Sequence, residues 1–142
     1  MDHAEASKLI FTALTHAVAG DSDAAATSLE SLGTQSDNNQ MYGVCCAIAE
    51  AGKHVLPRLF GEQPADSMVV LQELEPGAAL ADPHRAFALR FLTAYANNDQ
   101  PMTLALFDTA LAAGGEQYVE SVCALLAEVA GLCRLALDQP TT

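Results

Sequence analysis

Tryptophan is missing from this chain, and aromatic residues make up only 6% of its 142 positions. Basic residues are scarce as well: 6 Lys and Arg stand against 18 Asp and Glu, a formal net charge of −12. Such a chain has no cationic footprint for nucleic acid, because a phosphate backbone is held by Lys and Arg and repelled by carboxylates. The same imbalance disfavours an anchor on anionic lipid. No run reaches the ~18 apolar residues of a membrane helix. The most apolar stretch, residues 119–137, is interrupted by Glu120, Glu128 and Arg134. Neither nucleic acid nor membrane is therefore expected as a partner.

Motifs that carry chemistry are also wanting. The cysteines Cys45, Cys46, Cys123 and Cys133 show neither a CxxC nor a Cys/His finger spacing, so no metal is indicated. A disulfide between the neighbours Cys45 and Cys46 would be strained. Free thiols of this kind act as small buried hydrophobes, with Cys46 the best placed to meet solvent. There is no GxSxG elbow and no glycine-rich loop after a strand, so the sequence names no cofactor and no catalytic set. Residues 1–5 carry no basic n-region and the first helix is amphipathic, which reads as a cytoplasmic protein.

What remains is rich in Ala and Leu, 51% hydrophobic and 17% charged. Both residues favour helix because they lose little conformational freedom there, and β-branched residues are few and never alternate with polar ones over a useful span. The expected fold is all-α: six to seven antiparallel helices as α-α hairpins, in a superhelix or a compact bundle. One domain is expected over residues 1–138, with 139–142 a frayed tail.

Punctuation sets the elements. Asp2 caps a first helix over 3–19, with Leu9, Ile10, Ala13, Leu14 and Ala17 inward, and Gly20 closes it. A second helix, capped by Asp21, covers 22–32 with Ala25, Leu29 and Leu32 buried, and Gly33 ends it. Ser36 or Asp37 caps a third over 38–60, whose stripe runs from Met41 to Leu59. Pro57 predicts a kink or break near 53–57, and Gly52 loosens the same place. Beyond a turn at 61–64, a fourth helix is expected over 65–73, ended by Pro76-Gly77.

The fifth start is the clearest, with Asp82 at the cap and Pro83 behind it. Phe87, Phe91 and Tyr95 share one face, and the helix is apolar on most sides, as suits the middle of a bundle. Asn97-Asn98-Asp99 closes it. Asp99 caps a sixth helix carrying Leu104, Phe107, Ala110 and Leu111, which stops at Gly114-Gly115. The seventh, over 116–137, carries two stripes: Val119, Val122, Leu126, Val129 and Cys133, then Cys123, Ala127, Ala130 and Leu137. Two stripes mean two packing surfaces, one of them for an earlier helix or for a second copy of the chain.

Small residues near two turns (Ala17, Ala19 and Gly20; Ala94 and Ala96), with Leu29 and Phe107 in the helices that follow, resemble tetratricopeptide-like α-α repeats. The likeness covers about a third of the chain, and the hairpins recur at roughly 40 residues where that family repeats at about 34. The resemblance implies right-handed stacking and a concave groove for peptides or helices.

Candidate sites are few. His16, Asp21 and Asp23 could in principle hold a metal, but the two acids suit a helix N-terminus better. His84 and Arg85 sit at a helix start, where exposed N–H groups and these cations could hold an anion. Alternatively Arg85 pairs with Asp82 or Glu75. Arg90 interrupts an apolar helix and must reach solvent or a buried acid. Lys53, His54 and Arg58 form a second basic patch.

The primary reading is a non-catalytic helical interaction module: a scaffold, adaptor or regulator, self-associating or docking a protein partner the sequence does not name. The candidate homodimer surface is Val122, Leu126, Val129 and Cys133 on the last helix. The first alternative is a regulatory domain binding a small molecule or anion between the third and fifth helices, near His54, Arg58, His84, Arg85 and Arg90. The second is an enzyme whose carboxylates meet only in the fold.

Overall fold

A computed structural model describes residues 2–60 and 82–138, and among these every regular element is an α-helix. In chain order they are α1 (His3–Val18), α2 (Ser22–Gln35), α3 (Asn38–Phe60), α4 (Pro83–Ala96), α5 (Gln100–Ala113) and α6 (Gly115–Asp138). The turn expected at 61–64, the helix expected at 65–73, the Pro76-Gly77 stop and the tail at 139–142 lie outside the described residues.

The starts follow from short acidic side chains that satisfy otherwise orphaned backbone N–H groups. Asp2 accepts from Glu5 N, Asp21 from Ala24 N, and Asp99 from Met102 N. Asp82 accepts from both His84 N and Arg85 N. At α3 the bonding is reciprocal: Gln40 N donates to Asp37 while Asp37 N donates to the Gln40 side chain, each at 2.8 Å. Reversals come at Gly20 (φ 85°) and at Asn98 (φ 59°); Asn tolerates this left-handed region better than most residues with a Cβ.

Neither Gly33 nor Pro57 ends its helix. α2 runs through Gly33 to Gln35, with Gly33 helical and exposed rather than left-handed. α3 continues through Pro57 to Phe60. Pro57 stands in the last turn, where it removes only one hydrogen bond, and Leu56 beside it is buried at 7% exposure.

The core is assembled around α6, which packs against α1, α3, α4 and α5. α4 packs against α3, α5 and α6, while α1 carries α2. In a stacked array each repeat touches its neighbours; here the last helix reaches back to the first. α6 can do this because its buried set, including Val122, Leu125, Leu126, Val129 and Ala130, spans more than one stripe. Leu32, Ile48, Phe91, Leu92, Leu125 and Val129 are fully buried, each contributing about 1.5–3 kcal/mol of transfer energy. Gly52 is where α3 closes on this core. A Cβ there would meet Leu92 Cδ1 at 2.9 Å and Val129 Cγ2 at 3.2 Å, so the glycine permits close packing. Leu104 of α5, and Val119 and Leu137 from the two α6 stripes, are exposed.

Candidate functional site

Along one face of α3, Tyr42, Cys46 and Glu50 follow at intervals of one turn, with Lys53 and His54 in the next. The Tyr42–Cys46 part of this face looks toward the turn between α4 and α5, and together they border an open cleft of about 310 Å³. α3 supplies Tyr42 and Cys46, α4 supplies Tyr95, the turn supplies Asn98 and Asp99, and α5 supplies Gln100 and Thr103.

The cleft is held by paired groups. The Tyr42 hydroxyl bonds the Thr103 hydroxyl at 2.8 Å, and Thr103 donates to the Gln100 carbonyl. The Tyr42 ring meets Phe107 edge-on at 5.6 Å between centroids and Phe91 at 6.4 Å, so core aromatics fix its direction. Tyr95 donates to the Glu50 carboxylate, whose other oxygen stands 3.0 Å from His54 Nε2. Lys53 Nζ donates to Asn98 Oδ1 at 3.3 Å and lies 5.7 Å from the centre of the Tyr95 ring.

These partners set the proton affinities. Tyr95 is pushed up to about 12, first by its hydrogen bond to Glu50 and then by burial. Glu50 is held below the usual carboxylate value by that same bond, with His54 and Lys53 adding to it against the opposing effect of burial. Burial raises Tyr42 and Cys46, and the hydrogen bonds to Thr103 and Tyr42 respectively offset part of each rise. Near neutral pH the cleft therefore presents neutral phenols and a neutral thiol beside an ionised carboxylate.

A second polar cluster joins α4 to α6. His84 stands between Ser121 (Nδ1 to Oγ, 3.1 Å) and Glu120 (Nε2 to Oε2, 2.8 Å). Arg85 Nε donates to Glu128 at 2.9 Å. A hydroxyl, an imidazole and a carboxylate in series resemble a nucleophile with its base. Yet Ser121 is buried at 7% exposure within α6, where helix bonds consume the neighbouring N–H groups that could stabilise an oxyanion. The cluster fastens the start of α4.

The residues singled out from sequence are thus dispersed. His84 and Arg85 are engaged by acids of α6, and Arg85 takes Glu128 as partner rather than Asp82, whose carboxylate receives backbone N–H groups instead. Arg58 and Arg90 are exposed. A cleft does lie between α3 and α4, but none of His54, Arg58, His84, Arg85 and Arg90 lines it; His54 touches it only through Glu50. Val122, Leu126 and Val129 are buried in the core of the single chain, so they present no free face to a second copy, whereas Cys133 is half-buried. Asp21 caps α2. Among the described residues no three His, Cys, Asp or Glu side chains come together as a metal site, and no described helix is long and apolar enough to cross a membrane.

Sequence reasoning passed over Tyr42, Glu50, Asn98 and Thr103. The available signal was the four-residue spacing of Tyr42, Cys46 and Glu50 on the flank of the apolar α3 stripe. Comparison with protein-family models, curated proteins and solved structures found no match.

Proposed function

We propose that the protein is a non-catalytic binding module that docks a partner molecule, with the α3–α4–α5 cleft as its recognition point. One observation carries this reading: the cleft is built of paired donors and acceptors, Tyr42 bonded to Thr103 and Tyr95 to the neighbouring Glu50, and this pairing goes with shifts away from neutrality. Tyr42, Tyr95 and Cys46 are shifted upward and Glu50 downward. A general acid or base works best when it titrates near the operating pH, and a nucleophilic thiol when its pKa is lowered. The cleft has the opposite tuning, which suits hydrogen-bond donors and acceptors of fixed charge.

The test is a titration of the labelled protein with pools of short peptides of different charge, followed by amide resonances. Saturable shifts confined to Asn98, Gln100 and Thr103, abolished by Thr103→Val with helicity retained, are expected. Uniform insensitivity of these resonances, or shifts centred on another surface, overturns the proposal.

Self-association is a second reading, favoured by the exposed apolar side chains of α6, Val119, Leu135 and Leu137. On this reading Leu137→Asp lowers the molecular mass measured by light scattering and leaves circular dichroism unchanged. A mass equal to one chain before substitution removes it.

A further inference from the structure

An ammonium group is already held at the edge of the cleft, by two of the residues that line it. Lys53 Nζ lies over the Tyr95 ring and donates to Asn98 Oδ1, and both of these residues line the cleft. The Glu50 carboxylate, bonded to the Tyr95 hydroxyl, is near enough to Lys53 to feel its charge. A π face, an amide oxygen and a carboxylate thus converge on one place, and each attracts a cation. Lys53 reaches this seat on a flexible four-carbon stem from a part-exposed position, so it can leave without disturbing α3. When it leaves, the Tyr95 ring, Asn98 Oδ1 and the Glu50 carboxylate lose that cation; His54 stays 3.0 Å from Glu50, and Asp99 adds a second carboxylate in the lining of the cleft. An anionic ligand is disfavoured there, and the net charge of −12 draws cations toward the whole surface.

We infer that the Tyr95–Asn98 edge of the cleft is a receptor for a primary alkylammonium group, and that Lys53 is its built-in competitor. The inference rests on the reading of the cleft as a recognition site. The ammonium can come from a lysine of a peptide partner or from a free polyamine, since both present the same group.

The test uses the full chain and three probes: a short peptide with one lysine among uncharged residues, the same peptide with norleucine in its place, and spermidine. The lysine peptide is expected to shift the Asn98, Gln100 and Thr103 amides and the norleucine peptide to leave them in place. Lys53→Met should tighten lysine-peptide binding by about 2- to 5-fold, the range of an exposed cation–π contact. Asp99→Asn, which keeps a good helix cap, should weaken it. Lys8→Met and Asp23→Asn make the same charge changes on α1 and α2 and should do neither. Spermidine shifting the same amides, with the same response to Lys53→Met, assigns a free amine as a competent source; peptide binding alone assigns the lysine side chain.

Equal binding of the norleucine peptide at these resonances overturns the ammonium seat and leaves the recognition reading standing. Equal effects of the near and remote charge changes also overturn the seat, because general surface charge then suffices. Silence of the cleft toward every probe overturns both.

Discussion

The two ends of α4 use polar side chains in opposite ways. At its start, His84 and Arg85 are consumed by Glu120, Ser121 and Glu128 of α6. At its end, Tyr95 and the following Asn98 face an open cleft, where hydroxyls, amides and a thiol are paired but still reachable. The number of polar groups matters less than whether space is left beside them. A seam that closes on its own charges holds helices together, and a seam kept open by a turn leaves donors and acceptors for something else. Between the two ends, α4 rests on one apolar floor, the contact of Gly52, Leu92 and Val129.

Removing that floor is the strongest way to break the contrast. Val129→Asp puts a charge at a fully buried position and should abolish the helical circular dichroism signal, since an unpaired buried charge costs several kcal/mol or more, comparable to the whole stability of a domain. Retained helicity with a loss of oligomers would instead return Val129 to an interface role.

Alkaline pH comes next and separates the two ends. Cys45 rises from 9.0 to about 12 through burial, and Tyr95 and Tyr118 rise from 10.0 to about 12. Each favours its protonated form in the fold, so its contribution is complete below the ordinary value. Above that value the unfolded chain releases its protons first, and stability falls as pH climbs toward about 12. Urea midpoints should decline across this window, and less steeply for Tyr95→Phe. A decline unchanged by Tyr95→Phe would remove the cleft end from the account.

At the other end, Arg85→Met should lower unfolding free energy by about 1 kcal/mol or less, because its pair with Glu128 is still part-exposed. Ligand binding in the cleft should stay as it was. A loss of binding would show that the two ends are coupled.

The smallest expected effect is at Tyr118, whose hydroxyl is buried and finds no hydrogen-bond partner among the described residues. Its ring packs edge-on against Phe107 at 5.9 Å. Tyr118→Phe keeps that contact and removes an unsatisfied polar atom, so thermal stability should hold or rise slightly. A clear loss would mean the hydroxyl has a partner.

Most of the helices were legible because their starts depend on local chemistry: an Asp at the cap, a proline behind it at Pro83 and Pro101, a glycine or asparagine at the reversal. Buried faces were legible for the same reason, as at Ala25, Leu29 and Leu32. Gly33 and Pro57 misled because a helix held by tertiary packing tolerates residues that would end it in isolation. The site was illegible for a different reason. Asn98 and Thr103 gain their meaning from Lys53 and Tyr42, some 45 and 61 positions away, and no local pattern announces such a meeting. The basic residues drew attention by their rarity, yet rarity says nothing of whether an acid on another helix waits for them, as Glu128 does for Arg85.

The place of α6 has a consequence for biosynthesis. The helix against which α1, α3, α4 and α5 all pack is the last of the described helices to leave the ribosome. Until it emerges, Phe91, Leu92 and Ile48 lack much of their cover, and the growing chain must remain dissolved on the strength of its many carboxylates. Ribosome-bound chains stopped before Gly115 should therefore be open to proteases that spare the finished protein.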